Sequence, residues 1–314
     1  MGAMIRFCTH EEIDPVRWGS CVAASGASTL FADYDLLTLS NPQWGALVLD
    51  DYAAVMPLPW RRKHLVSYVF NPFFHSRLGV FAPAPPSAAL VAEFVAAIPK
   101  RFVSVDLNLN EENSAARLSV ATGEQVSHRL SLSADYDMLW QGYGSNHKRN
   151  VKAARAHLPQ LDPAVPVSDI IALFRHNRGR DAGIRMFDAD YAAFERLCAH
   201  TADRGWLTVW GARDDDGTLL AGAVFLRDGN RHWFWFSGRE EARADRKAMF
   251  FLMDEFIRQN AGTDTLLDFN GSHNPNVARF YAGFGGERFT FPALHFINSR
   301  AAMPFVRIYQ KLKR

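Results

Sequence analysis

The sequence predicts an α/β chain made of two copies of one unit in tandem. Three observations carry this. Hydrophobic residues make up 48% and charged residues 22% of 314 positions, a globular balance with enough apolar side chains for a large core. Helix and strand signals in the N-terminal third return in the same order in the C-terminal half. The stretch Val105-Asp106-Leu107-Asn108 also matches Leu267-Asp268-Phe269-Asn270, each behind an amphipathic helix and each running into an asparagine-rich turn (Asn110 and Asn113; Asn274 and Asn276).

A helix is expected over 14–24. Strands at 46–49 and 53–58 are joined across Asp50-Asp51, and further strands follow at 65–70 and 78–81, the last stopped by Pro83-Ala84-Pro85-Pro86. Ser87 caps a helix with Leu90, Val91, Phe94, Val95 and Ile98 apolar, and Pro99 ends it. Residues 102–109 alternate apolar and polar, as a half-buried strand does. In the second half a helix is expected over 190–202. Strands 207–212 and 219–226 meet through Asp214-Asp215-Asp216-Gly217, a hairpin signal. A strand at 231–237, a helix at 246–260 closed by Gly262, and a strand at 265–269 complete the unit. A basic helix over 144–157 lies between the halves, and Pro159, Pro163 and Pro166 mark a linker. The expected divisions are 1–135, 136–165, 166–297 and a tail at 298–314.

The 35 basic and 33 acidic residues give a net charge of +2, so no global field demands nucleic acid or membrane. Cys8, Cys21 and Cys198 form no CxxC pair, which favours a reducing cytoplasm over a disulfide framework. No apolar run reaches the roughly 18 residues of a membrane span, and the charged first twenty residues show no signal peptide. Dinucleotide, P-loop, nucleophile-elbow and zinc-protease motifs are missing; Gly142-Tyr143-Gly144 lacks the third glycine. Cys198 and His200 lie two apart and would point different ways on a helix, so no metal is expected. Trp206, Trp210, Trp233 and Trp235 fall on neighbouring strands; Trp233 and Trp235 share one face and Phe234 and Phe236 the other. Core packing explains them more simply than an acyl-binding wall.

The most specific signal runs from Asp268 to Gly286. A strand ends in a polar turn, Asn274 is suited to a helix N-cap and Pro275 to its first position, and Val277 and Phe280 face the core. The pattern N-x-x-V-x-x-F-Y-x-x-x-G resembles the N-x-x-A-x-x-L-Y-x-x-x-G stretch of the GNAT acyltransferase superfamily. The resemblance implies that this strand and helix flank an acyl-CoA and that Tyr281 protonates the departing thiolate, or else merely packs. Arg243-Ala244-Asp245-Arg246-Lys247-Ala248 keeps the ends of the GNAT pyrophosphate loop R/Q-x-x-G-x-G/A, but Arg246 and Lys247 replace the residues that allow close backbone approach. The donor-binding set that follows is Phe236, Ser237, Arg243, Arg246, Lys247, Ala248 and Asn274.

Lys148, Lys152 and Arg155 share a face of the basic helix, which reads either as a solvated face or as a contact surface. The stretch from Ser145 to Ala154 resembles the connector between paired GNAT units in FemAB-like transferases. The resemblance covers about residues 130–290 and implies two tandem GNAT-like units, each a mixed, mostly antiparallel sheet flanked by helices. It places the donor on the C-terminal unit and leaves the N-terminal one degenerate, shaping the acceptor side. Lys148, Arg149, Lys152 and His273 are the substrate-binding candidates. The implied function is N-acyl transfer from acyl-CoA, as co-substrate, to an amine. The alternatives are aminoacyl-tRNA-dependent transfer, although no coiled-coil arm for tRNA is present, and a non-catalytic binding module.

Overall fold

The computed structural model describes residues 4–27, 30–63, 66–157, 159–177, 179, 186–271 and 274–299. In chain order the elements are β1 (Ile5–Thr9), α1 (Pro15–Ala23), α2 (Tyr34–Ser40), β2 (Trp44–Leu49), β3 (Ala54–Lys63), β4 (Val66–Val69), α3 (Ala88–Ala96), β5 (Phe102–Asn108) and β6 (Thr122–Ser131). Then come α4 (Tyr136–Gly142), α5 (Ser145–Ala156), β7 (Gln160–Asp162), α6 (Val167–His176), α7 (Asp188–Asp203), β8 (Leu207–Arg213), β9 (Leu219–Asp228) and β10 (Arg231–Arg239). The chain closes with α8 (Ala248–Asn260), β11 (Leu266–Asp268), α9 (Pro275–Ala282) and β12 (Glu287–Ile297). No helix among the described residues is long and apolar enough to cross a membrane.

The chain divides into two units. One comprises residues 1–125 with 290–314, the other 126–289. The expected division differs on two counts. The basic helix α5 and its flanks are integral to the second unit rather than a connector. The C-terminal strand β12, from residue 290 on, belongs to the first unit.

In the first unit the sheet order is β1-β2-β3-β4-β5-β12, with β4 and β5 parallel and the other neighbours antiparallel. The Asp14 carboxylate accepts the backbone N–H groups of Val16 and Arg17 and Pro15 opens α1, the end chemistry its sequence foretells. Trp18, Trp44, Phe31, Phe81, Phe94 and Phe102 are fully or almost fully buried. Beyond Val69, residues 71–82 lie alongside the end of β5. Leu78 bridges Leu109 in parallel, and Phe81 bridges Val55, so the strand expected at 78–81 is reduced to these two bridges. The Asn113 carbonyl accepts the N–H of Val80 at 2.7 Å, and the Asn110 amide donates to the carbonyls of Leu78 and Val80. Gly79 sits at φ +96°, and a Cβ there would come within 2.4 Å of Asn113 Oδ1. The asparagine turn of this unit thus holds residues 78–80 of its own chain.

In the second unit the order is β7-β8-β9-β10-β11-β6, again with the fourth and fifth strands parallel and the other neighbours antiparallel. The strands carrying the short internal match, β5 and β11, hold the same place in the order of their sheets. Helix α6 packs on β9 and β10, α8 on β8 and β9, and α5 on α8. Phe225 and Phe256 stack at 3.8 Å in the core, and Trp210 packs against Phe256 at 5.4 Å, which settles that tryptophan as core packing.

Candidate functional site

Strand β10 pairs with β11 over only three positions, Arg231↔Leu266 to Trp233↔Asp268. From there β10 runs on against β9 alone, while the other chain turns away through Asn270 and Gly271, both at positive φ, into α9. Beyond the three paired positions a cleft of about 920 Å³ opens between β10, the start of α8 and α9. Phe234, Ser237 and Gly238 line it from β10, Lys247 to Phe250 from the start of α8, Asn276, Val277, Arg279, Phe280 and Tyr281 from α9, and His147 from α5. All of these belong to the second unit.

Helix α9 is placed by its own sequence. The Asn274 side chain accepts the N–H of Asn276 at 2.9 Å, and Pro275 occupies the first turn. This sets Tyr281 in the cleft wall with 7% exposure, its ring stacked on Phe269 at 4.9 Å and edge-on to Phe234 at 6.1 Å. His128 lies 6.2 Å from the same ring, and burial pushes its pKa down.

Helix α8 begins without a side-chain cap. The residue before it, Lys247, is left-handed at φ 56°, a conformation that costs a non-glycine residue about 1–2 kcal/mol. No acid among the described residues pairs with Lys247. The positive end of a 13-residue helix and Lys247 therefore meet at the cleft. The two arginines expected beside it are occupied. Arg243 donates to Asp214 at 2.8 Å and to Asp216 at 2.7 Å, which holds the Asp216 carboxyl well below the usual range. Arg246 lies 3.3 Å from Asp214 and donates to His157 Nδ1 at 2.7 Å. The acids come from the β8–β9 hairpin. Glu241 pairs with Arg239 at 3.1 Å, and Glu240 receives the N–H of Ala242 in the cleft rim.

Of the donor-site candidates, Tyr281, Ser237, Arg243, Lys247, Ala248 and Asn274 line the cleft together. Phe236 does not, because a bulge between Phe234 and Phe236 breaks the alternation on β10. Phe236 therefore joins Trp235 against Phe194, at 4.6 and 4.8 Å, instead of following Phe234. Arg246 is likewise outside the lining. On α5, Lys148 donates to the Gln141 carbonyl, Arg149 to Asn146, and Lys152 is exposed; the structure brings none of them to the cleft. Arg155, expected on their face, turns inward to the buried Asp254 at 2.6 Å. His273 lies outside the described residues. The cleft also contains Asn146, His147, Asn177, Arg239, Glu240 and Arg279, which the sequence reading passed over. Arg279 had a signal, since it lies in the Arg-Phe-Tyr stretch two residues before Tyr281.

Residues 145–275 match the family model for an acetyltransferase (GNAT) domain. No curated protein sequence matches the chain. Among solved structures, FemX is similar at TM-score 0.64 and 10% identity over 100% of both chains. A conserved protein of unknown function from Bacteroides thetaiotaomicron gives 0.59 and 11% over 94% of this chain and 100% of that one. L-PGS from Bacillus licheniformis gives 0.54 and 10% over 94% and 95%. Residues 145–275 are thus similar to a GNAT domain, and the chain has a FemX-like α/β fold.

Proposed function

We propose that this GNAT-superfamily chain is an N-acyltransferase that takes an acyl group from acyl-CoA to an amine. The observation that carries the reading is the cleft between β10, the start of α8 and α9, with an uncapped helix start and an acid-free Lys247 at one side and Tyr281 in the wall. Donor phosphates would sit at the start of α8, where the N–H groups, Lys247 and Arg279 supply positive charge. The thioester would extend toward Tyr281. The amine nitrogen forms a bond to the thioester carbon, and its surplus proton passes to water. The carbonyl oxygen takes up negative charge against a backbone N–H. The C–N bond stays, the C–S bond breaks, and the Tyr281 hydroxyl gives its proton to the leaving thiolate.

The test is release of free thiol from acetyl-CoA in the presence of a panel of amines. Amine-dependent release by the wild type, reduced at least tenfold in Lys247→Glu, supports the reading; release that is equal in both proteins removes it. A second reading, aminoacyl-tRNA as donor, is favoured by the exposed Arg149 and Lys152 on α5. It requires salt-sensitive tRNA binding that a double Arg149→Glu, Lys152→Glu variant loses.

A further inference from the structure

His147 lines the cleft at 6% exposure, yet the transfer scheme gives it no part. Its Nε2 lies 2.9 Å from the Phe280 carbonyl oxygen. A carbonyl only accepts, so Nε2 carries the proton. Burial lowers the affinity of the ring for a second proton, which leaves it neutral with a lone pair on Nδ1. No hydrogen bond to Nδ1 exists among the described residues. The ring cannot turn to find one. Phe250, Phe280 and Phe284 surround it at centroid distances of 5.0, 5.8 and 4.8 Å. Its Nδ1–Cε1–Nε2 edge faces Gly283, another lining residue; a Cβ there would fall 1.9 Å from Cε1, 2.2 Å from Nδ1 and 2.4 Å from Nε2. A fixed acceptor without a donor thus stands in the wall of a ligand-sized cleft.

We propose that His147 Nδ1 is a recognition group of this cleft, accepting a hydrogen bond from an uncharged amide N–H of the bound thioester donor. The inference rests on the acyl-CoA reading and adds what part of the donor is read there. An anionic group would meet the lone pair of a neutral imidazole and be repelled. A cationic group would meet Lys247 and Arg279 in the same cleft. A flat neutral amide suits both the acceptor and the adjoining half-buried rings of Phe250 and Phe280. Coenzyme A carries secondary amides in its arm, between its phosphates and its thiol, which is the span between the start of α8 and Tyr281.

The experiment is calorimetric titration of coenzyme A, and separately of adenosine 3′,5′-bisphosphate, which lacks the amide arm, into wild type and His147→Gln. Glutamine can keep an N–H toward the Phe280 carbonyl but offers no acceptor at Nδ1. Affinity for coenzyme A should fall about three- to tenfold, as loss of one neutral hydrogen bond implies, while the bisphosphate binds both proteins alike. Equal coenzyme A affinity in the two proteins overturns the proposal and leaves the donor reading standing. A wild type that binds no coenzyme A overturns both. Should His147→Gln not fold, ¹⁵N-histidine spectra of the wild type decide: the Nδ1 resonance of His147 must move on adding coenzyme A, and a resonance that stays in place overturns the proposal.

Discussion

Tyr281 is held by neighbours that do not need its hydroxyl: Phe269 stacks on one face at 4.9 Å and Phe234 meets it edge-on. Tyr281→Phe should therefore keep the packing and donor affinity, within about twofold, while turnover falls by roughly 10²-fold or more, the range of a lost general acid. Steady-state thiol release and calorimetry separate the two. Gly283 makes the opposite case, since any Cβ there collides with the His147 ring. Gly283→Ala should destabilise the protein by about 1–3 kcal/mol, the cost of overpacking, read by urea unfolding. Tyr281 was legible because a strand, a capped turn and a short helix fix it by local sequence alone. Arg243 was legible as a cation but not in its partners, because Asp214 and Asp216 lie 29 and 27 positions upstream. His147 was not legible as a cleft residue. Its place depends on Gly283 and Phe280, more than 130 positions away, at distance 133 for the Phe280 carbonyl.

Among the elements, α8 is tied to α4 and α5 by a buried carboxylate. Asp254, with no exposed surface, accepts from Tyr136 Oη at 2.8 Å and from Arg155 at 3.0 and 2.6 Å. Removing it leaves a guanidinium and a phenol without their acceptor, so Asp254→Ala should cost about 3–5 kcal/mol in urea unfolding. The first unit carries a titration signature. His75 is buried with neither ring nitrogen hydrogen-bonded, and burial pushes its pKa down to about 3 from an ordinary 6.5. The unfolded chain protonates this ring as the pH falls below 6.5, and the folded chain does so only near 3, so the folded state loses stability across that window. The loss approaches about 1.4 kcal/mol per pH unit. Urea midpoints at pH 7 and pH 5 should differ less in His75→Leu than in the wild type. The helix and strand order was readable from apolar periods and caps, as Ser87 and Asn274 show. The bulge at Trp235 was not, because an extra residue leaves the composition of a strand unchanged while reversing the side its later residues face. Nor was the sixth strand of either sheet, which sequence order places with the wrong half.

At the scale of the molecule, the two units differ where their fourth and fifth strands end. Both sheets place a parallel fifth strand beside the fourth, but in the first unit Leu78 bridges the chain just beyond that strand, whereas in the second β10 and β11 part after three pairs. The central claim is that the opened cleft binds an acyl-CoA through the start of α8. It is tested most directly by thermal unfolding of wild type and Lys247→Glu over a series of acetyl-CoA concentrations. The account predicts a wild-type melting temperature that climbs with ligand, equivalent to about 2.7 kcal/mol at a hundredfold excess over Kd. In Lys247→Glu the same climb should need well over tenfold more ligand, since charge-assisted hydrogen bonds contribute about 1.5–3 kcal/mol each. A wild type whose melting temperature ignores acetyl-CoA, or a variant that responds at the same concentrations, would contradict it.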